Sequence, residues 1–543
     1  MRRVRVCRST DRFDINLMGN HMDRRAFLRA AGVTGSTLAL AAALPGRAGA
    51  AGTHFPHGVA SGDPLPDGIL LWTRVTPTAD ALPGSGTGPD VEVAYDVAED
   101  ADFRRIVVTG TATTGAYRDH TVKVDVRGLL PDRHYWYRFR FDRNPSPLGR
   151  TRTAPAPRAV PAVLRFGIAS CANLEGGYFS AYRHLADRGA DLSAVIHLGD
   201  YLYEYGSGEY GPGPAIGRVH EPVHAIRTLA DYRMRHAQYK RDPDLQRLHG
   251  LVPFIATWDD HETADDSWSG GSKDSDPREF PARAAAARQA YAEWMPVRGP
   301  WADHLYRRLS FGGLLDLSML DLRSHRSKQP LPGAATPPGH TITGPEQMAW
   351  LKAGLTDTDA RWKLVGNPVM ISPLIAPRLP ASLTATLGAT LPLSSGGDAV
   401  NTDQWDGYAR DRDDLLRHLV DTKTDNTVFL TGDLHTSWAG KVPLSYADYP
   451  DTPLPATEFT CPSVTSDSVA DTAGPLLTRI AERAIRAKNP HFDYVDLTAH
   501  GYCTLDVTPE GLECGWHHIS DRRRPDADVR RAMTLRQEHR PTR

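Results

Sequence analysis

Residues 194–203 read AVIHLGDYLY, a short apolar run that ends abruptly in Gly199 and Asp200. Such a run is typical of a buried strand in a parallel sheet, with its polar residues at the strand end. The pattern recurs at residues 427–435, TVFLTGDLH, and at residues 254–262, FIATWDDHE. Because ligands of open α/β sheets bind at the carboxyl ends of strands, the repeated pattern predicts an α/β fold with one site at that edge.

Three further apolar runs also end in polar residues. They are residues 163–168, followed by Ser170 and Cys171; residues 315–320, followed by Asp321 and Arg323; and residues 363–365, followed by Gly366 and Asn367. Such runs alternate with amphipathic helical patterns over residues 157–520. This alternation predicts an α/β domain over that range.

The preceding region, residues 51–156, consists of short β-branched or alternating runs separated by Gly, Pro and Asp turns. About seven such runs in about a hundred residues favour an immunoglobulin- or fibronectin-like β-sandwich. Residues 151–158, TRTAPAPR, are rich in proline and predict the boundary between the two regions.

The first 50 residues resemble a twin-arginine signal peptide. Arg24 and Arg25 precede an apolar stretch, residues 30–44, that is too short to cross a bilayer about 30 Å thick. The small residues at 48–50 predict cleavage after Ala50. Residues 1–21 lie upstream of Met22 and add nothing that a signal requires. We therefore expect a secreted protein that uses the twin-arginine export machinery and has no transmembrane anchor.

Charge and motif content exclude several classes of function. The chain has 63 basic and 65 acidic residues, but 9 Arg and only 3 Asp belong to the leader, so the rest carries a formal net charge of −8. An acidic chain has no global attraction for nucleic acid or anionic membranes. The sequence contains no P-loop, dinucleotide fingerprint or Gly-x-Ser-x-Gly elbow. We also expect the protein to be a monomer.

Two features near the C-terminus give weaker predictions. Residues 521–543 contain 8 Arg and 4 acidic residues, a composition typical of a solvated tail. Cys503 and Cys514 flank the turn-like residues 508–511. A disulfide across a hairpin is one prediction, and a register that keeps the two cysteines apart is the alternative.

The acidic and histidine residues at the strand ends predict a metal site. In an extended chain Asp433 and His435 point the same way, so a carboxylate and an imidazole reach neighbouring metal ions. A strand-end turn with a capping Asp is the alternative for this turn alone. Three clustered acidic turns would repel one another, and a cation is the simplest compensation.

These turns belong to an ordered set of motifs. The set is ASC at 169–171, GDYLY at 199–203, WDDHE at 258–262, GNP at 366–368, DQWDGY at 403–408 and GDLH at 432–435. With GVASGDP at 58–64 and LWTR at 71–74, it resembles the family of PhoD-like alkaline phosphatases and phosphodiesterases over roughly residues 54–518. The resemblance implies a metallophosphatase-type two-sheet αββα sandwich after an extra β domain, with Fe³⁺ and Ca²⁺ as cofactors.

The resemblance also implies a ligand set. Fe³⁺ would be held by Cys171, Asp200, Tyr203 and His435, and Asp200 would bridge to Ca²⁺ held with Asp260, Asn367 and Asp433. A thiolate and a phenolate suit Fe³⁺, and oxygen ligands suit Ca²⁺. Taken singly, Cys171 is better explained as a buried core thiol and Tyr203 as a packing aromatic, and it is their joint occurrence at matching motif positions that favours the metal. Asp259 is assigned to a further metal or to orienting its neighbours.

Four residues are candidates for contact with substrate. His261 would protonate the leaving alkoxide or hydrogen-bond to the equatorial oxygens, with a structural role beside the ligands as the alternative. Arg235 and His236 lie on a basic, aromatic helical stretch that either faces the substrate or is a solvated face. Arg323 is predicted to brace the loops in an ion pair with Asp321, with phosphate contact as the alternative.

The favoured function is that of a secreted hydrolase of phosphate esters that uses metal-activated hydroxide. One alternative is a phospholipase D-like phosphodiesterase, a specificity found within the same family. The other is a non-catalytic cell-surface binding protein that uses its β-sandwich. The ligands do not distinguish monoesters from diesters, because both reactions use the same two-metal attack.

Overall fold

Three β-sheets with flanking helices make up the computed structural model, which describes residues 54–299, 304–331, 337–375 and 401–540. The predicted signal peptide, residues 1–50, lies outside the described residues. None of the described helices is long and apolar enough to span a membrane.

The largest sheet has nine strands and carries the first set of predicted strand ends. Its spatial order is Val529–Glu538, Gly511–Ile519, Gly501–Val507, Leu164–Ala169, Ala194–Leu198, Phe254–Thr257, Val59–Leu65, Gly68–Arg74 and Thr121–Arg127. The strands Leu164–Ala169, Ala194–Leu198 and Phe254–Thr257 run parallel to one another, with His197 opposite Ala169 and Leu198 opposite Thr257. Their carboxyl ends therefore lie level at one edge.

The second sheet has seven strands and carries the other strand ends. Its order is Arg307–Phe311, Leu315–Met319, Trp362–Asn367, Thr427–Thr431, Ala456–Thr460, Ser437–Val442 and Phe492–Asp496. Parallel pairing places Asn367 opposite Thr431, and Thr431 opposite Thr460. The turns after residues 367 and 431 are therefore neighbours.

The two sheets pack face to face. Along a strand, successive side chains alternate between the core that separates the sheets and the outer layer of helices. In Ala194–Leu198, Ile196 joins the core between the sheets, whereas Val195 packs against helices on the outer face. Phe166 and Phe311 meet edge to face across the sheets with ring centroids 5.3 Å apart. The described helices are Ser180–Asp187, Leu229–Lys240, Pro243–Leu251, Phe280–Trp294, Pro345–Thr356, Ala409–Asp421, Val469–Ala473 and Pro475–Lys488. The predicted αββα sandwich is confirmed.

The predicted N-terminal β-rich region is also present, but it shares a sheet with the rest of the chain. Five of its strands form a separate sheet: Ile106–Thr114, Val91–Ala98, His134–Phe141, Asn144–Pro145 and Gly149–Arg152. Three others extend the nine-stranded sheet, because Gly62 pairs in parallel with Phe254. Ile69, Val97 and Tyr137 belong to the core between the two sets of strands. Strand pairing thus connects residues on either side of position 156. The domain boundary at that position stays a prediction.

The C-terminal segment corrects the expectation of a solvated tail. Val529–Glu538 is an edge strand paired antiparallel with Gly511–Ile519, from Ile519 opposite Val529 to Gly511 opposite Glu538. Met533 and Leu535 pack against the core between the sheets. Arg530, Arg531 and Arg536 are exposed on this edge strand, where charge discourages pairing with further chains.

The disulfide between Cys503 and Cys514 is not formed in the structure, where both thiols are free and buried. The two cysteines lie on adjacent strands, but the register places Cys514 opposite Leu505 and Cys503 opposite Trp516. The two cysteines are therefore not directly opposite one another, and a disulfide between them stays a prediction.

Candidate metal centre

The predicted ligands lie together at the carboxyl ends of the parallel strands of the two larger sheets. Potential ligand atoms of Cys171, Asp200 and His435 lie within 4.8 Å of one another. The same limit holds for a second group formed by Asp259, Asp260 and Asp433, and for a third in which Asp200 and Asp260 meet His261. Asp200 and Asp260 thus connect all three groups, as a bridged site requires.

Four of these residues have a left-handed backbone. The φ angles are 59° at Cys171, 52° at Asp200, 58° at Asp433 and 54° at His435. Residues other than glycine rarely adopt this conformation, and such strain costs about 1–3 kcal/mol per residue when it persists at functional sites. The strand-end turns therefore place these side chains at the expense of backbone strain, and the surrounding contacts offset that strain.

The first group surrounds the hydroxyl of Tyr203, which is fully buried. That hydroxyl donates to Asp200 Oδ2 at 3.0 Å and lies 3.1 Å from His435 Nε2. His435 Nδ1 bonds to the carbonyl oxygen of Asp467 at 3.0 Å, and burial lowers the pKa of His435 to about 4. A neutral imidazole whose Nδ1 hydrogen is engaged leaves Nε2 free to bind a metal.

Two of the oxygen ligands predicted from the sequence, Asn367 and Asp433, lie on adjoining turns, and Asp433 belongs to the second group. Asn367 Oδ1 accepts a hydrogen bond from Trp405 Nε1 at 3.0 Å, and Asp433 Oδ2 accepts one from Gln404 Nε2 at 2.6 Å. The turns that carry Asn367 and Asp433 adjoin, since the Gly432 amide donates to the Pro368 carbonyl at 3.0 Å. Each of these two side chains is held by a hydrogen-bond partner, and Asn367 keeps a free lone pair while Asp433 keeps a second oxygen.

The charges in this cluster fit a bound cation. Burial, reinforced by neighbouring acids, raises the pKa values of Cys171, Asp200 and Asp433 well above their ordinary ranges. Within the described part of the chain, Asp200 Oδ1, Asp259 Oδ2 and Asp260 Oδ1 are buried without a hydrogen-bond partner. A cation among these atoms would satisfy the oxygens and favour the ionised forms. The donor set therefore fits a metal centre.

Arg323 enters the same cluster and corrects the predicted ion pair with Asp321. Its buried guanidinium binds Asp259 and Asp403, and it lies 3.6 Å from oxygens of Asp260 and Asp433. Burial opposes ionisation of Asp260, but Arg323 and His261 outweigh it and lower the pKa of Asp260. Arg323 thus neutralises part of the acidic cluster, while its backbone amide alone reaches Asp321, at 3.2 Å.

His261 lies beside both groups and has a carboxylate partner. Its Nδ1 lies 2.8 Å from Glu204 Oε2, and its ring centroid lies 4.1 Å from that of Tyr203. Burial opposes protonation, but Asp260, Glu204 and Asp200 outweigh it and raise the pKa of His261 well above its ordinary value. A protonated imidazole next to the cluster can donate a proton or a hydrogen bond to a bound ester.

Arg235 and His236 do not line an opening to solvent, which corrects their assignment to substrate. Both are almost completely buried. Arg235 donates to backbone carbonyl oxygens, including that of Tyr205 at 3.1 Å, and His236 stacks on Trp294 with ring centroids 6.3 Å apart. Arg235 instead stabilises the chain that follows Asp200, since the Tyr203 carbonyl is another of its acceptors.

Sequence comparison assigns the chain to a family. Residues 166–516 match the family described as PhoD-like phosphatase, and residues 39–155 match the N-terminal domain of PhoD-like phosphatases. The chain belongs to the PhoD-like phosphatase family. The resemblance predicted from the motifs is confirmed, and the chain is a phosphoric ester hydrolase.

Two relatives show how far the likeness extends. Alkaline phosphatase D of Bacillus subtilis (strain 168) is 34% identical over 522 residues, which cover 91% of this chain and 84% of that protein. A solved structure of PhoD is 33% identical and covers 91% of this chain and 92% of its own, with a TM-score of 0.79. Membership in this family implies that the PhoD-like phosphatase depends on metal ions.

Sequence reasoning gave no role to two glutamates of the PhoD-like site. Glu204 directly follows Tyr203, and Glu262 directly follows His261, so adjacency to a ligand or catalytic candidate was the available signal. The Glu262 carboxylate accepts backbone N–H groups of Asp200 at 3.1 Å and Asp259 at 2.8 Å, and also one from Tyr201. Glu262 thus ties together the turns after two neighbouring strands.

We expect Glu262→Gln to lower the free energy of unfolding by about 1–3 kcal/mol, because a buried amide replaces an acceptor of three N–H groups. Metal content should fall as well, since the turn bearing Asp200 loses its anchor. Urea titration and metal analysis measure the two effects. Glu482→Gln is the control, because Glu482 is half-buried and accepts one N–H, from Leu497 at 2.8 Å. Equal losses in both variants would contradict the role of Glu262.

Proposed function

We propose that this PhoD-like phosphatase hydrolyses phosphate esters at a centre that holds Fe³⁺ and Ca²⁺. The observation that carries the proposal is the group formed by Cys171, Asp200, Tyr203 and His435 at the strand ends. When bound, the two cations would stabilise the phosphoryl oxygens and activate the attacking water. No protein nucleophile is required.

The donor atoms support the two assignments separately. A thiolate, a phenolate and an imidazole at one group suit a ferric ion better than Mg²⁺ or Ca²⁺. At the other group Asp260, Asn367 and Asp433 offer only oxygen, which suits Ca²⁺. Asp200 would serve both, because it meets Cys171 in one group and Asp260 in another.

His261 would protonate the leaving alkoxide. Its Nδ1 is engaged by Glu204 at 2.8 Å, so Nε2 is the nitrogen free to donate. Arg323 lies within 3.6 Å of Asp260 and Asp433 and would limit the negative charge that meets an anionic ester. Asp259 is held by Arg323, which supports a role in orienting its neighbours.

We expect the purified protein to contain iron and to show a visible absorption band. Phenolate and thiolate are easily oxidised ligands, so light transfers charge from them to a bound Fe³⁺. Tyr203→Phe should weaken or shift that band, as measured by absorption spectroscopy with metal analysis. Tyr205→Phe is the matched control, since its ring stacks on Tyr203 with centroids 6.5 Å apart. A colourless protein that holds only zinc contradicts the assignment of iron.

Substrate preference is tested with one preparation assayed on nitrophenyl phosphate, bis-nitrophenyl phosphate and phosphatidylcholine. The first two separate monoesterase from diesterase activity, and the third tests the phospholipase D-like alternative. Dominant hydrolysis of phosphatidylcholine would replace the proposed function with that alternative.

The remaining proposals concern the whole chain. The twin arginines and the small residues at 48–50 support export through the twin-arginine pathway and cleavage after Ala50. A β-sandwich region over residues 51–156, a catalytic region over 157–520 and a monomeric state complete the proposed organisation.

A further inference from the structure

The DQWDGY turn, residues 403–408, lies against the second group of ligands and has no role in the proposed chemistry. Its Trp405 indole is fully buried. The backbone N–H of Trp405 donates to the carbonyl oxygen of Met370 at 3.1 Å, and the Met370 N–H donates to Gln404 Oε1 at 2.5 Å. These bonds fix the turn to the segment that directly follows Asn367.

A chain of hydrogen bonds determines which way the Asn367 amide faces. The hydroxyl of Thr431 donates to the buried Glu458 carboxylate at 2.6 Å and accepts from Asn367 Nδ2 at 3.2 Å. Asn367 Oδ1 accepts from Trp405 Nε1 at 3.0 Å. An indole nitrogen can only donate, and a hydroxyl that already donates can only accept. Both neighbours therefore require that the Oδ1 atom, not the NH₂ group, lies on the Trp405 side.

Gln404 imposes a similar constraint on Asp433. Because Gln404 Oε1 accepts the Met370 N–H, its Nε2 must be the atom that faces Asp433. That nitrogen donates to Asp433 Oδ2 at 2.6 Å, while Oδ1 lies 3.6 Å from Arg323. One carboxylate oxygen is therefore held by the turn, and the other faces the acidic cluster.

We propose that Trp405 and Gln404 are positioning residues that set the orientation of Asn367 and Asp433 and thereby the affinity of the second cation. The inference rests on the proposed function, which assigns Ca²⁺ to these ligands. Asn367 Nδ2 also donates to the Val369 carbonyl at 2.5 Å, so the NH₂ group is held at two acceptors and Oδ1 by the indole alone. The terminal torsion of an asparagine is broad, and the indole N–H therefore fixes the direction of Oδ1 and leaves its second lone pair for a ligand bond.

The test is a calcium titration of the iron-loaded protein by calorimetry. Trp405→Phe keeps an aromatic ring and removes the N–H, and we expect calcium affinity to fall about 10- to 100-fold, as for other outer partners of metal ligands. Iron content and the visible band should not change, because the first group makes no contact with the indole nitrogen. Gln404→Met should weaken calcium binding similarly and provides a second route if Trp405→Phe does not fold.

Trp362→Phe is the matched control. Trp362 is fully buried on the strand Trp362–Asn367, but its indole donates to the Thr508 carbonyl at 2.9 Å, at the opposite end of that strand from Asn367. This variant should lose stability comparably while binding calcium as the wild type does. Equal calcium affinity in wild type, Trp405→Phe and Gln404→Met overturns the inference alone. A wild-type protein that binds no calcium overturns the proposed function and the inference with it.

Discussion

Asp200→Asn should lower kcat for nitrophenyl phosphate by about 10³-fold or more. Asp200 belongs to two groups of potential metal ligands, and its Oδ1 is buried without a hydrogen-bond partner. An amide in its place removes the negative charge that would join two cations. Losing several kcal/mol of metal-derived stabilisation corresponds to about three orders of magnitude in rate. Steady-state kinetics with metal analysis measure the effect.

Asp63→Asn is a close control for this change. Asp63 is also fully buried and also has a positive φ, 43°, but its carboxylate binds Arg307 at 2.7 Å, outside the three ligand groups. This variant should lose stability and keep its turnover. Wild-type turnover in Asp200→Asn would exclude a metal-dependent reaction at this site.

His261→Ala should lower turnover by about 10²- to 10⁴-fold, the range typical of general acid–base groups. Metal content should stay at the wild-type level, because the proposed ligands are other residues. His261 lies close enough to Asp200 and Asp260 to bind a metal with them. Metal analysis therefore distinguishes a catalytic role of His261 from a role as a metal ligand. Loss of metal together with turnover would make His261 a ligand, and unchanged turnover would remove it from the reaction.

The pH profile gives a second test of the same residue. Glu204 is one of the groups that raise the pKa of His261. Glu204→Gln removes that charge, so the imidazolium is less stable and its pKa falls. If protonated His261 donates to the leaving group, the alkaline limb of kcat must then move to lower pH. The control is His491→Asn. His491 is a buried histidine whose Nε2 bonds to the Pro373 carbonyl at 2.9 Å, and its replacement should leave the pH profile of kcat unchanged.

Strand ends were predictable from the sequence because they depend on local patterns. Apolar runs such as residues 194–198 are short and end in Gly or Asp, so both the strands and the edge that gathers Asp200 and Asp433 could be predicted. The motif order then gave the family and the two-sheet sandwich. These predictions required no knowledge of which strands pair at long range.

The predictions that needed correction depend on distant contacts. Arg323 was paired with its sequence neighbour Asp321, but its side chain reaches Asp259 and Asp403, which are 64 and 80 residues away. Arg235 was placed near substrate because of its charge, yet it satisfies buried carbonyls. Charge and local spacing do not determine which buried acceptor a long side chain will reach.

The strand Val59–Leu65 lies in the nine-stranded sheet between Gly68–Arg74 and Phe254–Thr257. A gene fusion or recombination event that cut the chain near residue 156 would leave Phe254–Thr257 as a bare edge, with peptide groups open to pairing with other molecules. Chimaeras between relatives should therefore exchange the β-rich region only together with the strands it borders. In evolution, the two regions are expected to be inherited as one piece.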